Sequence, residues 1–454
     1  MVPLAHGIVG RQDLPIPRWL FGWGAAVVLI VSFVALAVAW RDARLERPAE
    51  RRVGRVPAVL DPLCGLVGVA LFVLTVYSGL TGAQTATANL APTFIFVVFW
   101  VGFVLLAVLL GDVFAALSPW RAVGRLTGWL ARRVGGAALP DPLPYPEWLG
   151  RWPAAAGLVV FAWVELVWTG RDDPSTLVVA AVVYAAVQFV GMSLYGVDAW
   201  TRNADAFGVY FGLLARMAPL RWERGTVYVR RPLAGLTALD PRPGTVAVLC
   251  AAIGSTAFDG FSEGPTWSAV APDLVDVVRS AGFAQDIALQ VVFTLGLLGA
   301  VGLVAGIYAL GVGGMRSAGG HRRGGLAGRF VHTLVPIACA YAVAHYFSLI
   351  AFEGQASVYL ASNPLGDVLG PGDGGLFGTA QYAIDYTWVS ANGIWYVQVG
   401  ALVLGHLGAL LLAHDRALTV FGHARAATRS QLLMLAVMVA FTSLGLWLLS
   451  AANA

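Results

Sequence analysis

The sequence predicts an all-α protein, a polytopic transmembrane bundle of about ten helical spans, on three observations. Apolar residues make up 58% of the 454 and charged residues only 12%, where a soluble domain carries roughly 25% charge. Apolar runs of roughly 18 or more residues recur, each long enough for about 30 Å of hydrocarbon. Arginine is concentrated in every second connecting loop, the bias that orients multispanning chains.

The spans fall at 19–40, 58–80, 93–117, 152–170, 176–196, 243–262, 285–314, 328–353, 392–413 and 431–450. The third and seventh are the longest, which implies tilt or extension beyond the lipid. Arg41, Arg44, Arg47, Arg51, Arg52 and Arg55 follow the first span, and the loop at 81–93 has no arginine. Arg121, Arg125, Arg132, Arg133 and Arg151 follow the third span, and only Arg171 follows the fourth. Seven arginines lie in 202–242, one (Arg279) after the sixth span, four in 316–329, none in 354–391, and three before the last span. The alternation is unbroken. Under the positive-inside rule both termini are extracytoplasmic, which requires an even number of spans.

The chain reads as one transmembrane domain, 1–454, with an extracytoplasmic N-terminal segment at 1–18. Residues 204–220, bracketed by Asp205 and Arg216, are apolar but short, as in a helix that is interfacial on the cytoplasmic side or re-entrant. Residues 354–391 are rich in Gly, Pro and aromatics, which predicts an ordered extracytoplasmic loop. Gly302 and Gly306 have the small-xxx-small spacing of close helix packing. All basic residues are arginine, and the net charge of +4 is spread over loops, so no nucleic-acid footprint is present. Cys64, Cys250 and Cys339 sit singly in apolar runs and read as buried free thiols.

Ionisable groups inside spans are costly and mark functional sites. Glu165, Asp259, Glu353, His345 and His406 all fall in the outer half of their spans. His345 and His406 are on consecutive antiparallel helices at similar depth. With Glu165, Asp259 or Glu353 they have the composition of a site for zinc or another divalent first-row metal. Such a metal would polarise a phosphoryl or carbonyl oxygen and activate water. The alternative is that each histidine serves its neighbours as a hydrogen-bond partner. His6 follows Ala5 as if at the end of a signal peptide; cleavage there would offer its amine and imidazole to a metal, and otherwise it is a residue of an ordinary tail. Asp112, Asp198 and Asp205 lie near the cytoplasmic face beside Arg and Trp, either as helix-end anchoring or as a cytoplasmic gate.

The segments His6-Gly7 with Gly10-Arg11-Gln12-Asp13-Leu14-Pro15, Asn203 to Pro219, Phe258-Asp259-Gly260 and His345-Tyr346-Phe347-Ser348-Leu349 together resemble the bacterial multispanning proteins known as fenitrothion hydrolases. The resemblance extends over most of the chain. It implies a hydrolase in the bacterial plasma membrane that cleaves an apolar ester, an organophosphate triester, at a site open to the outer face. It supplies no catalytic residues by motif. Ala206 stands where that pattern has proline, and no leader precedes His6. The expected partners are the lipid bilayer and a small apolar substrate. The same intramembrane histidines and carboxylates also fit a secondary transporter or a metal- or proton-handling protein.

Overall fold

The computed structural model describes residues 18–46, 50–135, 141–223, 225–318, 325–366 and 375–452; the N-terminal expectation for His6 lies outside them. The principal helices, in chain order, are α1 (Arg18–Ala39), α2 (Leu60–Thr81), α3 (Leu90–Leu110), α4 (Pro119–Gly135), α5 (Trp152–Leu166), α6 (Pro174–Tyr195), α7 (Ala206–Leu214), α8 (Thr245–Ser262), α9 (Pro265–Ser280), α10 (Gln285–Ala318), α11 (Leu334–Phe352), α12 (Ala391–Phe421) and α13 (Leu432–Ala452). The starts follow local chemistry: Asp173 accepts from the amides of Ser175 and Thr176 ahead of α6, and Ser390 accepts from Gly393 ahead of α12, each satisfying an amide with no helical partner.

Each of the ten predicted segments falls on helix. Seven helices among the described residues are long and apolar enough to cross a membrane, or eight if Ala424–Ser430 and Leu432–Trp447, bent by 41°, form one span. The chain is a helical membrane protein, with fewer self-sufficient crossings than the ten expected. α5 is the clearest shortfall: 15 residues rise only about 22 Å. Side-chain burial separates centre from rim. Within Leu326–Ser362, 83% of the most apolar window is buried, against 22% for Gln285–Ser317. α11 is therefore the central helix, and α10, α2 and α6 present Leu295, Leu303, Leu66, Val183 and Val190 outward, as lipid-facing helices do.

α7 is short and is buried on all sides, with Tyr210, Phe211, Leu213 and Leu214 inaccessible. Arg242 donates to Asn203 just before it at 2.7 Å, and Arg230 donates to the Ala218 carbonyl just after it at 3.0 Å. Both its ends thus meet arginines of the segment 230–242. Close packing also differs from expectation. A Cβ at Gly302 or Gly306 would meet nothing within 4 Å, so that spacing faces away from the chain's other helices. The close approaches lie elsewhere. A Cβ on Gly254 would come within 2.6 Å of the Val301 Cα, and one on Gly68 would strike the Leu117 carbonyl.

The all-α expectation misses one feature. The arginine-rich loops meet in a three-stranded antiparallel sheet, β1 (Arg51–Arg55), β2 (Leu220–Glu223) and β3 (Thr226–Val229), in the order β1-β3-β2, with an irregularity between Arg52 and Gly54. Arg221 binds Glu50 through two nitrogens, the closer at 2.6 Å. Asp415 accepts from the Trp40 indole at 2.9 Å and from the amides of Arg44 and Leu45 at 2.6 and 3.0 Å, which ties the same loop to α12. At the opposite end, arginine-poor segments meet: Ala83 donates to the Leu365 carbonyl at 3.2 Å, and Ser78 bonds Pro364.

Candidate functional site

Three helices bring Glu165, Asp259 and His345 together. α8 packs closely because its buried face is small, with Ala251, Ala252, Gly254 and Ser255, and this delivers Asp259 to α11. There His345 Nε2 donates to Asp259 Oδ2 at 2.8 Å, and the Tyr346 hydroxyl donates to the same oxygen at 2.9 Å. Asp259 Oδ1 is enclosed without a partner. Glu165, on α5, lies within electrostatic reach of both Asp259 and Tyr346, and its Oε1 is likewise enclosed and unbonded. Asp259 is 0% and Glu165 2% exposed, so these are buried carboxylates and not rim charges. Arg171 caps the cluster from the arginine-poor end, donating to the Glu165 carbonyl at 2.9 Å.

The other predicted residues stand apart. Glu353 is eight residues beyond His345, a rise of about 12 Å, and accepts from Tyr386 at 3.3 Å. His406 donates from Nδ1 to the Leu402 carbonyl of its own helix at 2.8 Å, with its ring 6.2 Å from Tyr341 and 6.3 Å from Phe441. Its Nε2 is buried without a partner beside an apolar void of about 40 Å³. The expected sharing of one ion by His345 and His406 is not what these contacts provide: one imidazole is bonded to a carboxylate, the other to backbone. No group of three or more His, Cys, Asp or Glu side chains among the described residues is arranged to hold a metal.

An aromatic layer lies between this cluster and the arginine-rich end. Trp100 packs on Tyr210 at 5.4 Å and on Phe161 at 4.8 Å, and Phe161 meets Phe207 at 5.1 Å. Phe207 packs on Tyr184 at 5.2 Å, whose hydroxyl donates to Asp205 at 2.7 Å. Beyond that layer is a cavity of about 680 Å³, lined by Asp112, Asp198 and Asp205 together with Arg121, Arg151, Arg202, Arg216 and Arg242. The three predicted aspartates therefore share one chamber. Trp120 does not anchor an interface; it is buried and donates to Asp205 at 2.7 Å.

The chamber's charges are strongly perturbed. Burial pushes the Asp205 carboxyl above the usual aspartate range, against hydrogen bonds that pull the other way. Burial, reinforced by the neighbouring cations Arg216 and Arg242, pushes the Arg151 guanidinium down to about 10. Sequence reading missed Tyr346, Tyr184 and Arg151. Tyr346 directly follows His345 in the chain, but hydropathy gives an interior tyrosine no distinguishing mark. No protein-family profile, curated protein or solved structure matches the chain.

Proposed function

We propose that this is a proton-coupled transporter of the bacterial plasma membrane, crossing it ten times with both termini outside and the arginine-lined chamber open to the cytoplasm. The observation that carries this reading is the buried Asp259–His345 pair, separated from an open polar chamber by an aromatic layer. An uncompensated carboxylate in apolar surroundings is costly. Proton arrival at His345 creates an imidazolium that neutralises Asp259, and proton loss restores the charge; the helices α5, α8 and α11 that meet there then favour different packings. The meeting of arginine-rich loops at one end and arginine-poor segments at the other supports the topology. In proteoliposomes holding a pH dye under an imposed pH gradient, a panel of small organic anions is expected to include one that accelerates proton entry. Asp259→Asn should abolish that acceleration. Identical traces for wild type and D259N with every anion would refute the reading.

A second reading, the phosphotriester hydrolase implied by the resemblance, draws on the same hydrogen bond, since a carboxylate-oriented imidazole is a general base. His345 would take the proton from a water attacking phosphorus as the ester's leaving group departs, with no metal invoked. Its test is turnover of a chromogenic phosphotriester that is lost in His345→Asn; turnover equal in both proteins would end it.

A further inference from the structure

The cavity at the arginine-rich end holds more cationic charge than its own acids answer. Asp198 faces Arg125 at 3.4 Å, outside the lining, and Asp240 is engaged by Arg242 at 3.1 Å. Asp205 is bonded by the neutral donors Trp120 and Tyr184, and Asp112 by the Ala115 amide at 3.1 Å. Arg151 donates to the Thr245 hydroxyl at 3.0 Å and reaches the Asp240 backbone carbonyl at 3.5 Å. Arg216 donates to the carbonyls of Ala238 and Gly235 at 3.1 and 3.4 Å. Neither forms an ion pair with a carboxylate among the described residues; Asp240 attracts both, and Asp112 attracts Arg216, only from farther off. Arg151 is only 9% exposed, and its Nε has no partner at all. A solvated arginine needs no counter-charge, but a guanidinium this buried does.

We propose that this chamber is a binding site for a phosphate-class oxyanion, gripped by Arg151 and Arg216 with Arg242 at its edge. Guanidinium forks match the oxygens of a tetrahedral oxyanion in bidentate fashion. Two cations with no carboxylate in ion-pair contact favour a doubly charged anion over chloride. The volume, about 680 Å³, is in the range that holds a small organic ligand, so it admits a phosphate carried on an organic body as well as the free ion. The headgroup of an anionic phospholipid has the same chemistry. The site stands independently of the transport reading, because it concerns occupancy and not movement.

The test measures thermal unfolding and calorimetric binding of the full chain in phosphatidylcholine nanodiscs. Inorganic phosphate is titrated against chloride at matched ionic strength, and parallel discs carry phosphatidylglycerol. Saturable stabilisation by phosphate alone supports a soluble oxyanion; stabilisation confined to phosphatidylglycerol discs supports the headgroup. Arg216→Gln should weaken either effect about ten-fold or more, the scale of a lost charge-assisted hydrogen bond, while Arg279→Gln, at an exposed pair elsewhere, should leave it unchanged. Arg151→Gln should act like R216Q; if that variant fails to fold, R216Q and the wild-type titration decide. Asp259→Asn should bind phosphate normally, which separates this site from the proton pair. Responses that follow ionic strength alone, or a folded R216Q that binds like wild type, overturn the proposal.

Discussion

Asp259 illustrates how one buried oxygen can fix a site. Its Oδ2 takes both His345 and Tyr346, so removing either donor leaves a buried carboxylate short of a partner. His345→Leu is expected to cost about 3–5 kcal/mol, the usual penalty for breaking a buried pair on one side. Adding Asp259→Asn should recover a large part of that loss. Denaturant unfolding of the single and double variants in micelles checks this, and strictly additive costs would count against the contact. Asp205 gives a pH signature. Its carboxyl is raised above the ordinary aspartate value by burial, so the stability it contributes is complete below the unfolded-state value of 3.8 and is lost as pH rises through the higher folded value. Asp205→Asn removes that dependence. As pH rises above 3.8 the stability difference should therefore move in the variant's favour; thermal unfolding across a pH series reads it, and parallel curves would be the contrary result. At this scale the sequence was half legible. The cost of burying charge picks out Glu165, Asp259 and His345 from hydropathy alone, and their similar depth matches the proximity of the three side chains. It groups His406 with them although that ring is bonded to the Leu402 carbonyl, because depth along a helix says nothing about which way a ring points around it.

Helices were legible where apolar length alone defines them, and illegible where burial is against protein. α9 and α4 carry enough charge, with Asp273, Asp276 and Arg279 in one and Arg121, Arg125, Arg132 and Arg133 in the other, to read as loops. The sheet escaped notice because its strands are four or five residues long, too short for an alternating pattern to register. Glycine spacing misled for a related reason: the motif is the same whether its face meets a helix or lipid. Gly68→Ala forces a methyl onto the Leu117 carbonyl, whereas Gly302→Ala enters open space. The first should cost about 1–3 kcal/mol, as overpacking does. The second should be neutral or slightly stabilising, since alanine is the better helix former. Unfolding midpoints for the two variants measure the difference, and equal midpoints would contradict the packing described for α2.

For the whole molecule, the arrangement sets polar chemistry at two levels with an aromatic layer between, and a short buried helix, α7, contributes to that layer. Hydropathy made the membrane setting plain, because a chain with this little charge cannot clothe itself against water. The number of crossings was less plain, since short helices such as α5 and the bent C-terminal pair pass or fail a length test according to their neighbours. The sheet has a further consequence, one of timing. Glu50 and Arg221 are 171 residues apart, and at about 5–20 residues per second the ribosome needs roughly 10–30 s to make the second after the first. Throughout that interval β1 has no partner strand, and its arginines face the nascent chain's surroundings alone. Chains stalled near residue 215 should be cut by added trypsin at Arg51, Arg52 and Arg55, and released full-length chains should resist at the same bonds. The loop that carries β1 is thus among the first to leave the ribosome, so a translational pause before β3 would lengthen the period in which quality-control proteases can reach it.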